Sequence, residues 1–413
     1  MALTSTDGYA LDSKAGVIMI PNPIKRSGAG SLFRIARKGK WGYMDRTGAT
    51  IIAPQFDWEG DFMGGLAKVL IDGKWGYINE QGHIVIPPQF DDAGDFTGEL
   101  APVQVGRKWG YVDKHGLLVI TPQFQGAGEF HEGLARFEEW DSIICAQDDW
   151  RRTFTKANAP LYAIKLHDDP VFSNTRACGT VTRRLGYLNA GGEVTIPAQF
   201  YDALDFSEGM AAVRFRKPDI DNRWGFINTA GALAIHPQFV QTKPFHEGLA
   251  AVELGTYGGL GQYNEWGFVD RQGNWAIPAV LRGEPGSFSE GVASVFGNDG
   301  LGYVNHAGQP VIPARFTMAR EFADGVALVR GRTGNSFYID HSGNSVIDPK
   351  GFSLWSFSDG LSVVLRDDQQ FYIDLEGATV ALHEDASWRY YRRVTVRTRP
   401  STTIRKPAPT TKR

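Results

Sequence analysis

The chain has 413 residues, 42% hydrophobic and 22% charged, with a formal net charge of −3; that balance belongs to an ordinary folded protein and excludes a fully disordered or a membrane-spanning chain. Its 49 Gly stand beside 25 Phe, 14 Tyr and 11 Trp, a combination that favours many short strands joined by frequent turns over long helices. Two cysteines, Cys145 and Cys178, exclude a disulfide framework and give reduced thiols in a cytoplasmic protein as the expectation.

The opening MALTSTDGYALDSK has no basic region followed by an apolar stretch, so it does not read as a secretory signal. No run approaches the ~18 apolar residues of a spanning helix. Within GYALDSKAG a leading half-unit is visible, and then Lys-Trp-Gly-Tyr recurs at Trp41, Trp75 and Trp109, 34 residues apart each time. Such self-similarity is the mark of a repeat architecture. The frame continues with weaker lead residues at Leu185, Trp224, Trp266, Leu301 and Ser336, and a trailing half-unit begins near Gln370. From half-unit to half-unit this makes ten copies of a central hairpin.

Each full copy reads W-G-Y-[IV]-[DN]-x-x-G-x-x-[VI]-I-x-P-Q-F, a loop, then F-x-x-G-[LM]-A-x-V. Asp or Asn three residues before Gly, as in Asp45/Gly48, Asn79/Gly82 and Asp113/Gly116, predicts a tight turn closed by the acid or amide side chain and returned by a left-handed glycine. In the strand before it, Trp41 and Tyr43 share one face. Gly42, on the other face, is expected to admit the next repeat closely. Pro54, Pro88, Pro122 and Pro237 are expected to end strand pairing for want of a donor. Phe56, Phe90, Phe124, Phe200 and Phe239 should plug the interior. The segment Gly65-Leu66-Ala67-Lys68-Val69 and its counterparts supply a further strand, with Ala67 and Val69 on one face. A unit is thus about three strands, too small to bury its aromatics without neighbours.

These residues carry a resemblance. Trp-Gly-Tyr-Ile-Asn with the downstream Ile-Pro-Pro-Gln-Phe and Gly-Leu-Ala resembles the bacterial WG-repeat, or KWG-repeat, family over roughly residues 1 to 380. Leu185, Leu301 and Ser336 depart from the lead Trp, and Phe337 replaces its Gly, so looser packing is expected there. The resemblance implies an interaction array with no particular partner and no catalytic residues to carry over.

The expected fold is all-β: tandem ~34-residue repeats of short three-stranded meanders stacked as an open β-solenoid or superhelix, with a closed β-propeller-like ring as the alternative. Ten hairpins exceed the four to eight blades usual in propellers, and half-units at both ends resemble caps on a linear stack. Residues 1–137 hold the N-terminal half-unit and three repeats, 138–183 a long insertion, and 184–387 further, increasingly divergent repeats. Residues 388–413 form a basic tail: Trp388 to Arg413 holds nine Arg and Lys and no Asp or Glu. Too polar to repay its ordering, it is expected to be disordered, with nucleic acid or an anionic surface as the partners such a tail would take.

An acid precedes the last turn glycine at Glu132, Glu208, Glu247, Glu290, Asp324 and Asp359. It reads either as a carboxylate stripe for a cation or basic peptide, or more economically as a polar residue before a turn. His131 and His246 stand too far apart in the repeats for a shared metal. His115, His306 and His341 occupy hairpin turns, where exposure explains them. No Cys-x-x-Cys or paired-His spacing supports a metal, and no cofactor is implied. GTYGGLGQ from Gly255 to Gln262 lacks the ending of a phosphate loop, and nothing local activates Cys145 with His167 as a nucleophile pair.

The period breaks are more informative. Val69 to Trp75 spans 6 positions, but Phe137 to Leu185 spans 48, Val213 to Trp224 spans 11 and Val252 to Trp266 spans 14. Three consecutive units are lengthened at one turn, and repeat proteins place binding faces where such insertions map. Trp140, Trp150, Arg151, Arg152, Tyr162, Arg216, Lys217, Tyr257 and Tyr263 lie there outside any repeat-defining position, and Trp, Tyr and Arg dominate interface hot spots. The reading is a non-enzymatic interaction scaffold that binds a macromolecule, a protein first, through that edge. An exported glycan or cell-wall binder and an enzyme confined to residues 138–183 are the alternatives.

Overall fold

The computed structural model describes residues 32–141, 182–215, 223–255, 265–349, 353–366 and 369–382. The leading half-unit, most of the long insertion and the basic tail lie outside them. All regular structure among the described residues is β, in eight antiparallel sheets. One of these, seven-stranded, joins two units, so nine units follow one another along the chain.

Unit 2 shows the plan: strand a at Trp58–Glu59, b at Leu66–Ile71, c at Lys74–Asn79 and d at Ile84–Phe90, hydrogen-bonded in that order. The sheet is therefore out of phase with the sequence repeat, since the Gly-Leu-Ala-x-Val strand of one copy pairs with the Trp-Gly-Tyr hairpin of the next. The short strand a makes four strands where three were expected. In unit 1 the described strands are b (Phe33–Arg37), c (Lys40–Met44) and d (Thr50–Phe56). In the seven-stranded sheet, Val194–Ala203 is strand d of unit 4 at its start and strand a of unit 5 at its end.

The c–d turns form as the sequence demands. Asp45 Oδ1 accepts from the N–H groups of Thr47 and Ala49 at 2.8 and 3.0 Å, and Asp340 Oδ1 from Ser342 and Asn344 at 2.9 and 2.8 Å. The closing Gly48 and Gly343 have φ of 86° and 81°, a conformation that costs little only without a Cβ.

Two expectations for strands c and d are corrected. A Cβ on Gly42 would lie 2.4 Å from Ile52 O and 2.6 Å from Pro54 N, so the close approach is by the partner strand of the same hairpin and not by the next repeat. Pro54 also does not end pairing. It lies inside Thr50–Phe56 at a register shift between the Trp41–Phe56 and Tyr43–Ile52 pairs, a bulge that dispenses with its missing donor.

Units are joined face to face through aromatic rings. Tyr43 packs on Phe62 of the next unit at 4.8 Å, Tyr77 on Phe96 at 4.8 Å, Tyr187 on Phe206 at 4.9 Å, Tyr303 on Phe322 at 5.1 Å and Tyr338 on Phe357 at 4.8 Å. Each buried hydroxyl donates to a main-chain carbonyl of that next unit: Tyr43 to Gly60 at 2.6 Å, Tyr77 to Gly94 at 2.8 Å, Tyr338 to Trp355 at 2.6 Å. Burial pushes the Tyr43 and Tyr77 phenols well up, which keeps them protonated as donors. Of the departing lead positions, Leu185 is buried while Leu301, Ser336 and Phe337 are half-buried, as are the lead Trp75 and Trp109 of regular units.

Strands a of neighbouring units also touch one another. Glu129 Oε1 accepts from Asp95 N at 2.9 Å, Glu321 Oε1 from Ser287 N at 3.0 Å, and Lys243 Nζ donates to Pro285 O at 2.7 Å. The units converge along their a edges, toward an axis, and their d strands form the rim, where Ile51, Ile84, Leu117 and Val194 are exposed.

The stack returns on itself. Tyr372 of unit 9 donates to Arg34 O of unit 1 at 2.9 Å and its ring stands 5.9 Å from Phe33. Arg46 donates to Asp359 O across the same joint. Ile35, Met44, Leu361 and Tyr372 form one buried cluster there. The open stack favoured on sequence thus gives way to its alternative, the closed propeller-like ring. Nine units suffice because each adds a further increment of rotation, whatever the usual blade number.

A double-mutant cycle tests the closure. Phe33→Ala and Tyr372→Ala, 339 positions apart in sequence, should couple by about 1 kcal/mol in urea unfolding; additive effects would mean an open stack.

Candidate functional site

An a–b–c–d meander sends its a–b and c–d turns to one end of the ring and its b–c turns to the other. The acid stripe lies at the first end. Glu132, Glu208, Glu247, Glu290, Asp324 and Asp359 all have φ between 52° and 55° and precede left-handed glycines, the two-residue turn that suits a twisted hairpin. Five of these carboxylates, those of Glu132, Glu208, Glu247, Glu290 and Asp324, accept main-chain N–H groups of another unit. Glu132 accepts from Gly209 N of the next unit at 2.7 Å, Glu208 from Gly248 N at 2.8 Å, Glu247 from Gly291 N at 3.0 Å and Asp324 from Gly360 N at 2.9 Å. The stripe is a chain of ties between units.

Bases from the c–d turns complete it. Arg271 Nη2 is 2.9 Å from Glu208 Oε2, His306 Nε2 is 3.3 Å from Glu247 Oε2 and His341 Nε2 is 3.4 Å from Glu290 Oε2. His306 also stacks on Phe288 at 4.2 Å and His341 on Phe322 at 4.1 Å. All three turn histidines, His115, His306 and His341, are exposed as expected; His306 and His341 in addition meet these carboxylates and rings. His131 faces Asp205 at 3.8 Å. Among the described residues no group of three or more His, Cys, Asp or Glu is placed to hold a metal.

The b–c end carries the three lengthened turns, rooted in consecutive units 4, 5 and 6. The roots adjoin. Phe200 pairs with Phe215 across units 4 and 5, and Arg223, where unit 5 resumes, donates to Gly255 O in unit 6 at 3.0 Å. The ladder of unit 4 runs beyond the expected boundary at 138 and 183, through Trp140–Arg183 to Asp141–Thr182. Of the candidate residues, Trp140 is described: it is 49% exposed and its indole donates to Glu138. Trp150, Arg151, Arg152, Tyr162, Arg216, Lys217, Tyr257 and Tyr263 lie outside the described residues, as do Cys145, Cys178 and most of the glycine-rich 255–262 segment.

Sequence reasoning passed over further residues at the roots of these turns. Arg183, opposite Trp140 in the ladder, forms an ion pair with Glu138 at 2.8 Å, and Arg184 is exposed. The Arg214 guanidinium lies 5.0 Å from the Tyr201 ring and 5.1 Å from the Trp224 ring, anchored by Asp202 at 3.0 Å. Arg-Arg just before Leu185 was the available signal.

Profile comparison matches the repeat described as WG containing repeat at residues 41–75, 75–109, 109–139, 186–217, 224–255, 266–299 and 302–330, more than half of the chain. The chain belongs to the WG containing repeat family. No curated protein sequence matches this WG-repeat chain. A structure titled as the eukaryotic initiation factor superposes with a TM-score of 0.53 at 10% identity, over 87% of this chain and 98% of that one. BamB from Moraxella catarrhalis reaches 0.36 at 10% identity, over 84% and 92%. The first likeness shows the fold alone, a propeller-like repeat architecture. No helix of the described residues is long and apolar enough to cross a membrane.

Burial works against the charge of Glu208, but hydrogen bonds from Arg271 and Gly248 N outweigh it and hold its pKa below the usual carboxylate value. Stability from a lowered pKa is present above the ordinary carboxylate range and lost as pH falls through the folded value. Glu208→Gln should therefore cost about 1 kcal/mol at pH 7, and the cost should vanish in denaturation curves taken at acid pH.

Proposed function

We propose that this WG-repeat ring is a non-enzymatic cytoplasmic scaffold that binds a partner protein through the b–c end of units 4, 5 and 6. The observation that supports this reading is the adjacency of three lengthened turns around an exposed Trp140 flanked by Arg183 and Arg184. The nine-unit stack needs none of them for its seams. Solvent-facing Trp and Arg in such a place are the residue types that dominate binding energy. The opposite end favours no competing reading, because its carboxylates are engaged in ties between units.

The test is a comparison of partners captured by the intact chain with those captured by three variants. The variants are a Gly-Ser replacement of residues 142–181, the pair Trp140→Ala and Arg184→Glu, and an opposite-end control, His115→Ala. The first two should retain a cooperative melt and lose the same partner by about thirtyfold in affinity, the scale of a hot-spot truncation of about 2 kcal/mol. The control should bind unchanged. Retention of that partner at unchanged affinity by the shortened chain would move the binding surface elsewhere on the ring.

A further inference from the structure

The first three units carry a lysine just before the lead Trp, at the b–c end, and two of these lysines show what the position holds. Lys40 Nζ is 2.5 Å from Asp57 Oδ1, and Lys74 Nζ is 2.6 Å from Asp91 Oδ1. Each Asp directly follows the last Phe of strand d, so the pair bridges the seam to the next unit. The second carboxylate oxygen accepts from the b–c turn of that unit, Asp57 from Asp72 N at 3.0 Å and Asp91 from Gly106 N at 2.7 Å. Hydrogen bonds from Lys40 and Lys74, ahead of those from the turns, hold both carboxyls below their usual range.

At the third seam the cation stays and the carboxylate does not. Lys108 precedes Trp109, but the residue after Phe124 is Gln125. Lys108 is half-buried and forms no ion pair among the described residues. The lead ring is less covered as well. At the first seam Asp57 is followed by Trp58, whose ring stands 6.1 Å from that of Trp41 and helps leave it 9% exposed. At the third seam Gln125 is followed by Gly126, and Trp109 is half-buried. The second seam separates the two effects, since Asp92 in the Trp58 position leaves Trp75 half-buried while its lysine is matched by Asp91.

The acids closest in the ladder already have cations beside them. Glu138, opposite Gly126, takes the Trp140 indole and the Arg183 guanidinium, and Glu139 lies opposite Arg184. Gln125 N donates to Glu138 O at 3.0 Å, two residues before Trp140, so this place lies at the root of the longest turn. Without a carboxylate at 125, that turn also lacks the pin that Asp57 and Asp91 give the b–c turns of units 2 and 3.

We propose that Lys108, beside the half-exposed Trp109, receives an acidic side chain of the partner, whose carboxylate stands where Asp57 and Asp91 stand for Lys40 and Lys74. This rests on the b–c end being the binding surface and names the chemistry of what binds there, an acidic protein segment. The chain supplies the template for that occupant, because both equivalent lysines take a carboxylate, and complementary charge selects partners and fixes their register.

The test uses the full chain with a biotinylated ten-residue oligo-aspartate as the probe. A zero-length carbodiimide joins a carboxylate to an amine in contact with it, and peptide mass mapping locates the product. Coupling at Lys108 should exceed that at Lys40 or Lys74 about fivefold, the ratio that corresponds to one exposed ion pair of about 1 kcal/mol. Gln125→Asp supplies the carboxylate from within the chain and should bring Lys108 down to the level of Lys74, with a melting temperature no lower than that of the parent. Coupling confined to Lys406 and Lys412 in the basic tail, or coupling at Lys108 that Gln125→Asp leaves unchanged, overturns the proposal. Affinity for a captured partner separates this inference from the reading beneath it. A partner lost when residues 142–181 are replaced, yet bound unchanged by Lys108→Glu and Lys108→Gln, keeps the surface and overturns the acidic contact; a partner retained by the shortened chain and lost with Lys108→Glu keeps the acidic contact and overturns the role of the long turn.

Discussion

The seams between consecutive described units depend on one interaction, a strand c ring of one unit closing over the strand a region of the next, and at the closing joint the ring of Tyr372 meets Phe33 and Arg34 O of strand b. The Tyr–Phe pairs near 4.8 to 5.1 Å bury large apolar surface, and an edge-to-face pair adds roughly 0.5–1.5 kcal/mol beyond that area. The hydroxyl then satisfies a carbonyl of strand a that the short strand leaves without a ladder partner. Burial and polar satisfaction are thus met by the same side chain. Where Phe226 and Phe268 stand in its place, the ring contact persists at 4.9 Å, and at the second of these seams the Lys243 ammonium takes over the polar role.

The two ends of the ring divide the work. At the a–b end, carboxylates reach across to the glycine N–H of the neighbouring turn and to Arg271, His306 or His341. Such groups are committed to holding units in register. At the b–c end the ties between described turns are sparser, Arg223 to Gly255 O and Arg332 to Asp299, so turn length can vary there without disturbing the regular row of ties at the other end. That freedom explains why the three insertions fall at this end of units 4, 5 and 6 and how a binding surface can be added to the ring without altering its core.

Much of this was legible in the residues themselves. The nine described hairpins were placed by the Asp/Asn-x-x-Gly signal because that turn is a local matter of side-chain acceptor and left-handed glycine. The lengthened turns were legible as breaks in a period, and Trp140 as an aromatic outside it. The roles of Gly42 and Pro54 were not, since the same residues answer a bulge within the hairpin or a contact between repeats, and only register distinguishes them. Arg183 and Arg184 were passed over because their importance comes from standing opposite Trp140 and Glu139 across a ladder, with Arg183 43 positions from its partner Trp140.

By itself the sequence determined the unit: an all-β meander, its turns, its buried rings and the WG-repeat family, all set by spacing of a few residues up to one period. The tertiary structure alone decided that the units form a ring. Closure depends on the small rotation from each unit to the next, which no spacing encodes and which accumulates over nine units until Tyr372 meets Arg34. It also decided the fate of the acids, because whether a turn carboxylate meets solvent, a ligand or a neighbour's N–H is set by the offset between units and not by the turn that carries it.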